Sequence, residues 1–269
     1  MTGTGVSHGC ISVINGIVNG TGAVIGIALE TVATYTEGGD SKKVIIEGEK
    51  TGDRLAKLCV KRTLEHLGAA DCNYTLTIRS QIPPSRGLKS SSSVCNAVIK
   101  AVLDEHGADM NTLDMIKLGV ECAKEAGVTV TGSFDDACGC EIGGFIMTYN
   151  YENRILEQRP VRKDAVVLCI PGHVKKNVPK EEYQARSRII EQAIALCETD
   201  IYSAMTLNGR AIAEVTGESG DLIDIAIKNG AIAAGVSGTG PAVGIICSGD
   251  DAVRIAQAMP CETIITEVR

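Results

Sequence analysis

Three short segments carry the residue types that could do chemistry. The first is Pro84-Ser85-Arg86-Gly87-Leu88-Lys89-Ser90-Ser91-Ser92-Ser93, which follows a strand pattern and opens a helix pattern. Glycine lets a backbone approach a ligand closely, a helix start offers unpaired N–H groups with a partial positive charge, and serine hydroxyls bind phosphate oxygens or a hard metal ion. Together they suit a polyanion. The spacing is neither G-x-x-x-x-G-K-[ST] nor G-x-G-x-x-G, and the plainer alternative is a proline turn, a serine cap and a flexible linker. The second segment, Thr131-Gly132-Ser133-Phe134-Asp135-Asp136-Ala137, sets paired carboxylates in what reads as a small-residue loop. Such a carboxylate can orient or deprotonate a hydroxyl; two solvated acids on a turn are the plainer alternative. The third, Gly235-Val236-Ser237-Gly238-Thr239-Gly240-Pro241-Ala242, is a glycine-rich turn leading into a strand.

The elements that must position these segments are legible from periodicity. Residues 11–17 and 23–35 are rich in Ile, Val and Thr, with Gly20 and Gly22 as a hairpin turn. Residues 44–47 and 74–80 read as strands, 53–67 as a helix with Leu55, Leu58 and Leu64 on one face. After Pro83-Pro84, residues 90–105 and 112–126 are predicted helices and 143–150 a strand. Residues 154–162 are charged, carry a proline and show little periodicity, so a lobe boundary is placed there, giving lobes of 1–157 and 158–269. Beyond it, 165–171 reads as an apolar strand, 181–198 as one long helix, 203–216 and 222–229 as shorter helices and 242–247 as a strand.

Composition narrows the classes. A length of 269 residues allows one elaborated domain or two packed lobes, and two lobes are preferred. With two Phe and no Trp, the core must be aliphatic. A net charge of −7 gives no basic footprint for nucleic acid. No apolar run approaches the ~20 residues that cross a bilayer, and no charged-then-apolar leader opens the chain, so a cytoplasmic protein is expected. The eleven cysteines are read as reduced, mostly buried thiols, since none stands at zinc-finger spacing.

The order P-x-x-x-G-L-x-S-S-S, then G-x-x-D-[DN], then S-G-x-G-P resembles the galactokinase, homoserine kinase, mevalonate kinase and phosphomevalonate kinase (GHMP) superfamily over nearly the whole chain. Residues 12–23, together with Gly87-Leu88-Lys89-Ser90-Ser91-Ser92, are similar to the archaeal-type shikimate kinases. Lys89 and Ser92 or Ser93 depart from the broad pattern of Gly and Ala, which leaves open whether Lys89 meets phosphate or points into solvent. The resemblance implies an α+β, two-lobed fold, with a left-handed βαβ N-terminal lobe and a ferredoxin-like C-terminal lobe. It further implies ATP and Mg²⁺ as cofactors, and a small alcohol, shikimate, as substrate. Homoserine, mevalonate and a non-catalytic nucleotide-binding role are the alternatives.

By that resemblance the residues from Pro84 to Ser93 hold ATP, and Asp135 is the catalytic carboxylate with Asp136 as runner-up. Asn15, Ser237, Gly238 and Gly240 border the substrate, the two glycines mainly supporting the phosphate loop. Ser91 and Glu121 hold Mg²⁺, with Glu125 as the alternative to Glu121. Lys175, Arg186 and Arg188 could offer a cation to an acidic substrate, although a solvated basic helix start explains them as well; His173 is not expected to act as a base.

Overall fold

The fold is built around one long hairpin. β1 (Gly3–Ile14) and β2 (Thr21–Glu37) pair antiparallel from Gly3↔Tyr35 to Ile14↔Ala23. Near the turn both strands are buried on both faces, because two cores meet there: Ile11 and Val13 join one hydrophobic cluster, Cys10 and Val24 the other. The computed structural model describes residues 2–48, 52–129, 132–173, 178–218 and 220–269.

β3 (Lys42–Ile46), α1 (Arg54–Leu67) and β4 (Tyr74–Ser80) form a βαβ unit, since parallel neighbours need a crossover. β4 pairs with the far half of β2. Three helices follow: α2 (Ser90–Glu105), α3 (Thr112–Ala126) and α4 (Phe134–Ile142). β5 (Phe145–Tyr149) then pairs with the near half of β2, and β6 (Arg154–Arg159) with β5. The charged stretch with little periodicity thus contains a strand. It is an edge strand with every second residue exposed, where charges are tolerated and guard against further pairing.

The second sheet begins with β7 (Ala165–Ile170). α5 (Lys180–Gln184), α6 (Ser187–Leu196), α7 (Ile201–Thr216) and α8 (Asp221–Lys228) precede β8 (Ala233–Val236) and β9 (Val243–Cys247), and α9 (Gly249–Ala258) leads to β10 (Glu262–Glu267). Its antiparallel order β10-β7-β9-β8 is ferredoxin-like. The helix expected over 181–198 is two helices. Arg186 N–H bonds to Tyr183 O and Ile189 N–H to Arg186 O, three-residue spans that tighten the turn and break the axis.

Between its pairings with β4 and β5, β2 leaves an edge gap that Val268 and Arg269 fill. Ile27 bridges Val268, Arg269 N–H donates to Gly26 O, and Gly144 N–H donates to Arg269 O. The Arg269 guanidinium then donates to Cys140 O and Glu141 O at the end of α4, a cation where the helix carbonyls lack partners. Contrary to the expectation of reduced thiols throughout, Cys169 is bonded to Cys261; nine cysteines are free. Among the described residues, no helix is long and apolar enough to cross a membrane.

Candidate active site

After β4 the chain takes left-handed backbone at Ser85 (φ 58°), Gly87 (φ 80°) and Lys89 (φ 67°) before α2 begins. Gly87 has no alternative there: a Cβ would lie 2.1 Å from Ser237 O. The loop lines a cavity of about 1010 Å³ from Pro84 to Ser92, except at Leu88. Two residues of the expected phosphate loop turn their side chains away from the cavity. Leu88 is buried and anchors the loop in the core, and Ser93 is fully buried on the inner side of α2.

The third motif braces this loop. Ser237 Oγ donates to Gly87 O at 2.8 Å and accepts from Ser12 N–H at 3.2 Å, Gly238 N–H donates to Ser12 Oγ at 2.9 Å, and Ala242 N–H donates to Arg86 O at 3.1 Å. Ser237 and Gly240, expected beside the substrate, do not line the cavity, whereas Asn15 and Gly238 do. Ser237 is fully buried with its hydroxyl spent on the brace, and Gly240 packs against Glu218 and Val236. Asn15 holds the hairpin turn, its Nδ2 donating to Gly238 O at 2.7 Å and its Oδ1 accepting from Ile17 N–H at 3.1 Å.

The paired carboxylates stand in the first turn of α4, not in a loop; Ser133, in left-handed backbone (φ 48°), starts that helix. Asp135 is 4% exposed and lines the cavity. Asn150 clamps it, Nδ2 donating to Asp135 Oδ1 at 2.8 Å and Oδ1 accepting from Asp135 N–H at 3.0 Å. Gly22 closes over it, because a Cβ there would lie 2.1 Å from Asp135 Oδ2. Burial, and then the neighbouring charge of Asp136, push the Asp135 pKa up to about 7, against the opposing pull of Lys89 and Asn150. Asp136 pairs with Lys89, Nζ to Oδ1 2.8 Å, and the Lys89 side chain is only 7% exposed. The lysine therefore does not point into solvent. Burial favours its neutral form, but Asp136, Cys10 and Asp135 outweigh this and hold its pKa above the ordinary lysine value.

A strand–loop–helix whose start suits an anion thus faces a buried carboxyl across one cavity. Two family descriptions match the chain: "GHMP kinases N terminal domain" over residues 54–144 and "GHMP kinases C terminal" over residues 190–265. The shikimate kinase of Methanothrix thermoacetophila is 37% identical over 94% of this chain and 89% of that relative, and the shikimate kinase of Pyrococcus abyssi 33% over the full length of both. The chain belongs to the GHMP kinases. Within them it falls with the archaeal shikimate kinases, and it is an ATP-dependent small-molecule kinase. Solved structures of the same fold include the mevalonate kinase of Methanococcus jannaschii, with TM-score 0.78, 16% identity and coverage of 100% of this chain and 98% of that one. The homoserine kinase of Cytophaga hutchinsonii has TM-score 0.75 and 18% identity, covering 100% and 94%. At that identity the likeness is one of fold.

Other expected residues of this GHMP kinase lie elsewhere. Glu121 is exposed on the outer face of α3, between the buried Val120 and Cys122, and does not line the cavity. Its alternative, Glu125, is exposed and pairs with Arg62. The helix turns Ile116, Val120 and Ala123 to the core, which forces both acids outward. Arg186 pairs with Glu214 and His173 with Glu218, Arg188 is exposed, and none of the three lines the cavity. Lys175 and Thr131 lie outside the described residues. Sequence reasoning missed Asn150, Gly22 and Ser12 as parts of the site. Asn150 directly follows β5 with no motif around it, so nothing local marks it.

Proposed function

We propose that this GHMP kinase transfers the γ-phosphate of ATP to shikimate, giving shikimate 3-phosphate and ADP on the route to chorismate and the aromatic amino acids. The observation that carries the acceptor is the 37% identity over 94% of the chain to a shikimate kinase.

Phosphoryl transfer asks the protein for positioning, charge neutralisation and an oriented nucleophile more than for covalent chemistry. The backbone of the phosphate loop and the hydroxyls of Ser90, Ser91 and Ser92, at the start of α2, take the nucleotide phosphates. Asp135 acts on the acceptor hydroxyl. With a pKa of about 7 it is partly ionised near neutral pH, where a general base works best. Asn150 holds one carboxylate oxygen, and the other takes the proton as the hydroxyl oxygen bonds to the γ-phosphorus and the bridging oxygen leaves with ADP. Asp136 is engaged with Lys89, which favours Asp135 over its neighbour as the base.

The residues present fit magnesium carried in on the nucleotide. Magnesium takes oxygen donors, often one or two from protein and the rest from phosphates and water. Ser91 is exposed on the cavity wall, and among the described residues no group of three His, Cys, Asp or Glu could hold a metal ion. Ser91 Oγ is therefore the protein donor proposed, and the ion when bound would neutralise phosphate charge. The test offers the purified protein Mg-ATP with shikimate, homoserine or mevalonate separately while ADP is measured. Turnover is expected with shikimate; its failure beside clear turnover of another alcohol would sink the acceptor.

A further inference from the structure

Lys89 has no part in the reaction as described, yet its placement is unfavourable twice over. Its backbone, at φ 67° and ψ 28°, lies in the left-handed region that side chains disfavour. Its ammonium is drawn into the cleft at 7% exposure, although a lysine at a helix start could extend into water. Such a charge is retained only where something compensates it. Asp136 does so in part, with Oδ1 2.8 Å from Nζ. Nζ also lies 3.2 Å from where a Cβ on Gly238 would stand, so the ammonium is wedged between α4 and the third motif. Asp136 is its ion-pair partner among the described residues, and an ammonium has three N–H donors. Lys89, Asp135, Asp136 and Gly238 line the same cavity, and Ser90 to Ser92 follow Lys89 directly. The ammonium thus shares one cavity wall with the serine hydroxyls proposed to take phosphates and with the carboxyl proposed to take the acceptor's proton.

We propose that Lys89 is a catalytic residue whose ammonium contacts the γ-phosphoryl group during transfer, with Asp136 as the positioning residue that holds the ammonium in the cleft. The proposal rests on the kinase reading but not on the choice of acceptor. Charge spreads over the equatorial oxygens of the phosphoryl group in transit, and a fixed cation in a water-poor cleft stabilises it without reorganising. Lys89 forms no covalent bond; the proton still goes to Asp135 and the bridging electron pair to ADP.

Three variants test this: Lys89→Met, Lys89→Arg and the double variant Lys89→Met/Asp136→Asn, which removes the Asp136 charge together with its partner. Calorimetry with ATP and with ADP is run beside steady-state kinetics and thermal melts. Lys89→Met should weaken ATP roughly tenfold more than ADP and lower kcat by roughly 10²-fold or more, as for loss of a charge-stabilising donor. Lys89→Arg should recover part of kcat, and the double variant should melt near wild type while keeping the loss. Equal weakening of ATP and ADP, or a double variant with near-wild-type kcat, would reduce Lys89 to a structural partner of Asp136. If the wild-type protein does not turn over shikimate, the acceptor fails, while the ATP-to-ADP comparison still decides Lys89.

Discussion

α2 and α4 begin at the same cavity and in the same way. Each is entered from a residue with a side chain in left-handed backbone, Lys89 or Ser133, and neither has a side-chain cap. The N–H groups of a first turn lack intrahelical partners, so both starts favour negative charge. What they carry differs. α2 opens with four serines, three of them on the cavity wall, and its first amides suit a visiting anion. α4 brings anions of its own, Asp135 and Asp136. A helix start alone would stabilise both carboxylates, yet Asp135 is pushed up to about 7 because burial outweighs the favourable field. In the proposed mechanism one backbone device thus serves an anion site and a base, and desolvation separates the two. Environments that separate two neighbouring carboxyls are how acid–base roles are divided.

The comparison breaks most visibly at Asp135. Asp135→Asn should lower kcat by roughly 10²-fold or more with little change in the acceptor KM. Asp136→Asn should lose less kcat but melt earlier, since it leaves a buried cation unpaired, a change that costs about 3–5 kcal/mol. Kinetics and melting curves of the two variants side by side check this, and the reverse pattern would exchange their roles.

At the α2 start, Gly87→Val drives a Cβ into Ser237 O. The strain, about 1–3 kcal/mol for backbone in a disfavoured region, should appear as weaker ATP binding in calorimetry with acceptor binding much less affected.

A smaller effect sharpens the desolvation argument through pH. kcat/KM should rise with pH to a plateau with its midpoint at about 7, and Asp135→Asn should lack that limb. Asn150 opposes the upward shift, so Asn150→Ala should move the midpoint higher. Stability has the opposite sign. Between the ordinary aspartate range and about 7 the folded protein keeps a proton that the unfolded chain has released, so this group's contribution is full at low pH and lost as pH rises through about 7. Denaturant titrations of wild type and Asp135→Asn across that range isolate the contribution.

The smallest effect is expected outside the cavity. Glu121→Gln should leave the magnesium requirement unchanged within about a factor of two, the usual range for surface substitutions, whereas Ser91→Ala should raise the half-saturating magnesium concentration.

Much of the scaffold was legible because local forces dominate it. The β-branched runs and glycines around residues 20–22 dictate the hairpin, and the spacing of Leu55, Leu58 and Leu64 marks α1. The phosphate loop could be recognised because a strand, a proline break and a serine-rich helix start are contiguous. α4 was read as a loop because its nine residues are short and small, and its helicity depends on packing against β1, β2 and β5. β6 and β10 escaped for a related reason: edge strands are half solvated, so their alternation is diluted by charge.

The sequence by itself therefore determined which residue types could meet a phosphate and a hydroxyl, and the backbone that presents them, since turn chemistry and periodicity act within a few residues. Tertiary structure alone decided which of those groups face the ligand. Lys89 turns inward because Asp136 on α4 receives it, Glu121 turns outward because Val120 and Cys122 take the core, and Asp135 acquires its proton affinity from burial, with Gly22 of β2 packed over it, and from Asp136, while Asn150 holds that affinity down. Desolvation and side-chain pairing act between distant parts of the chain, so no local pattern records them.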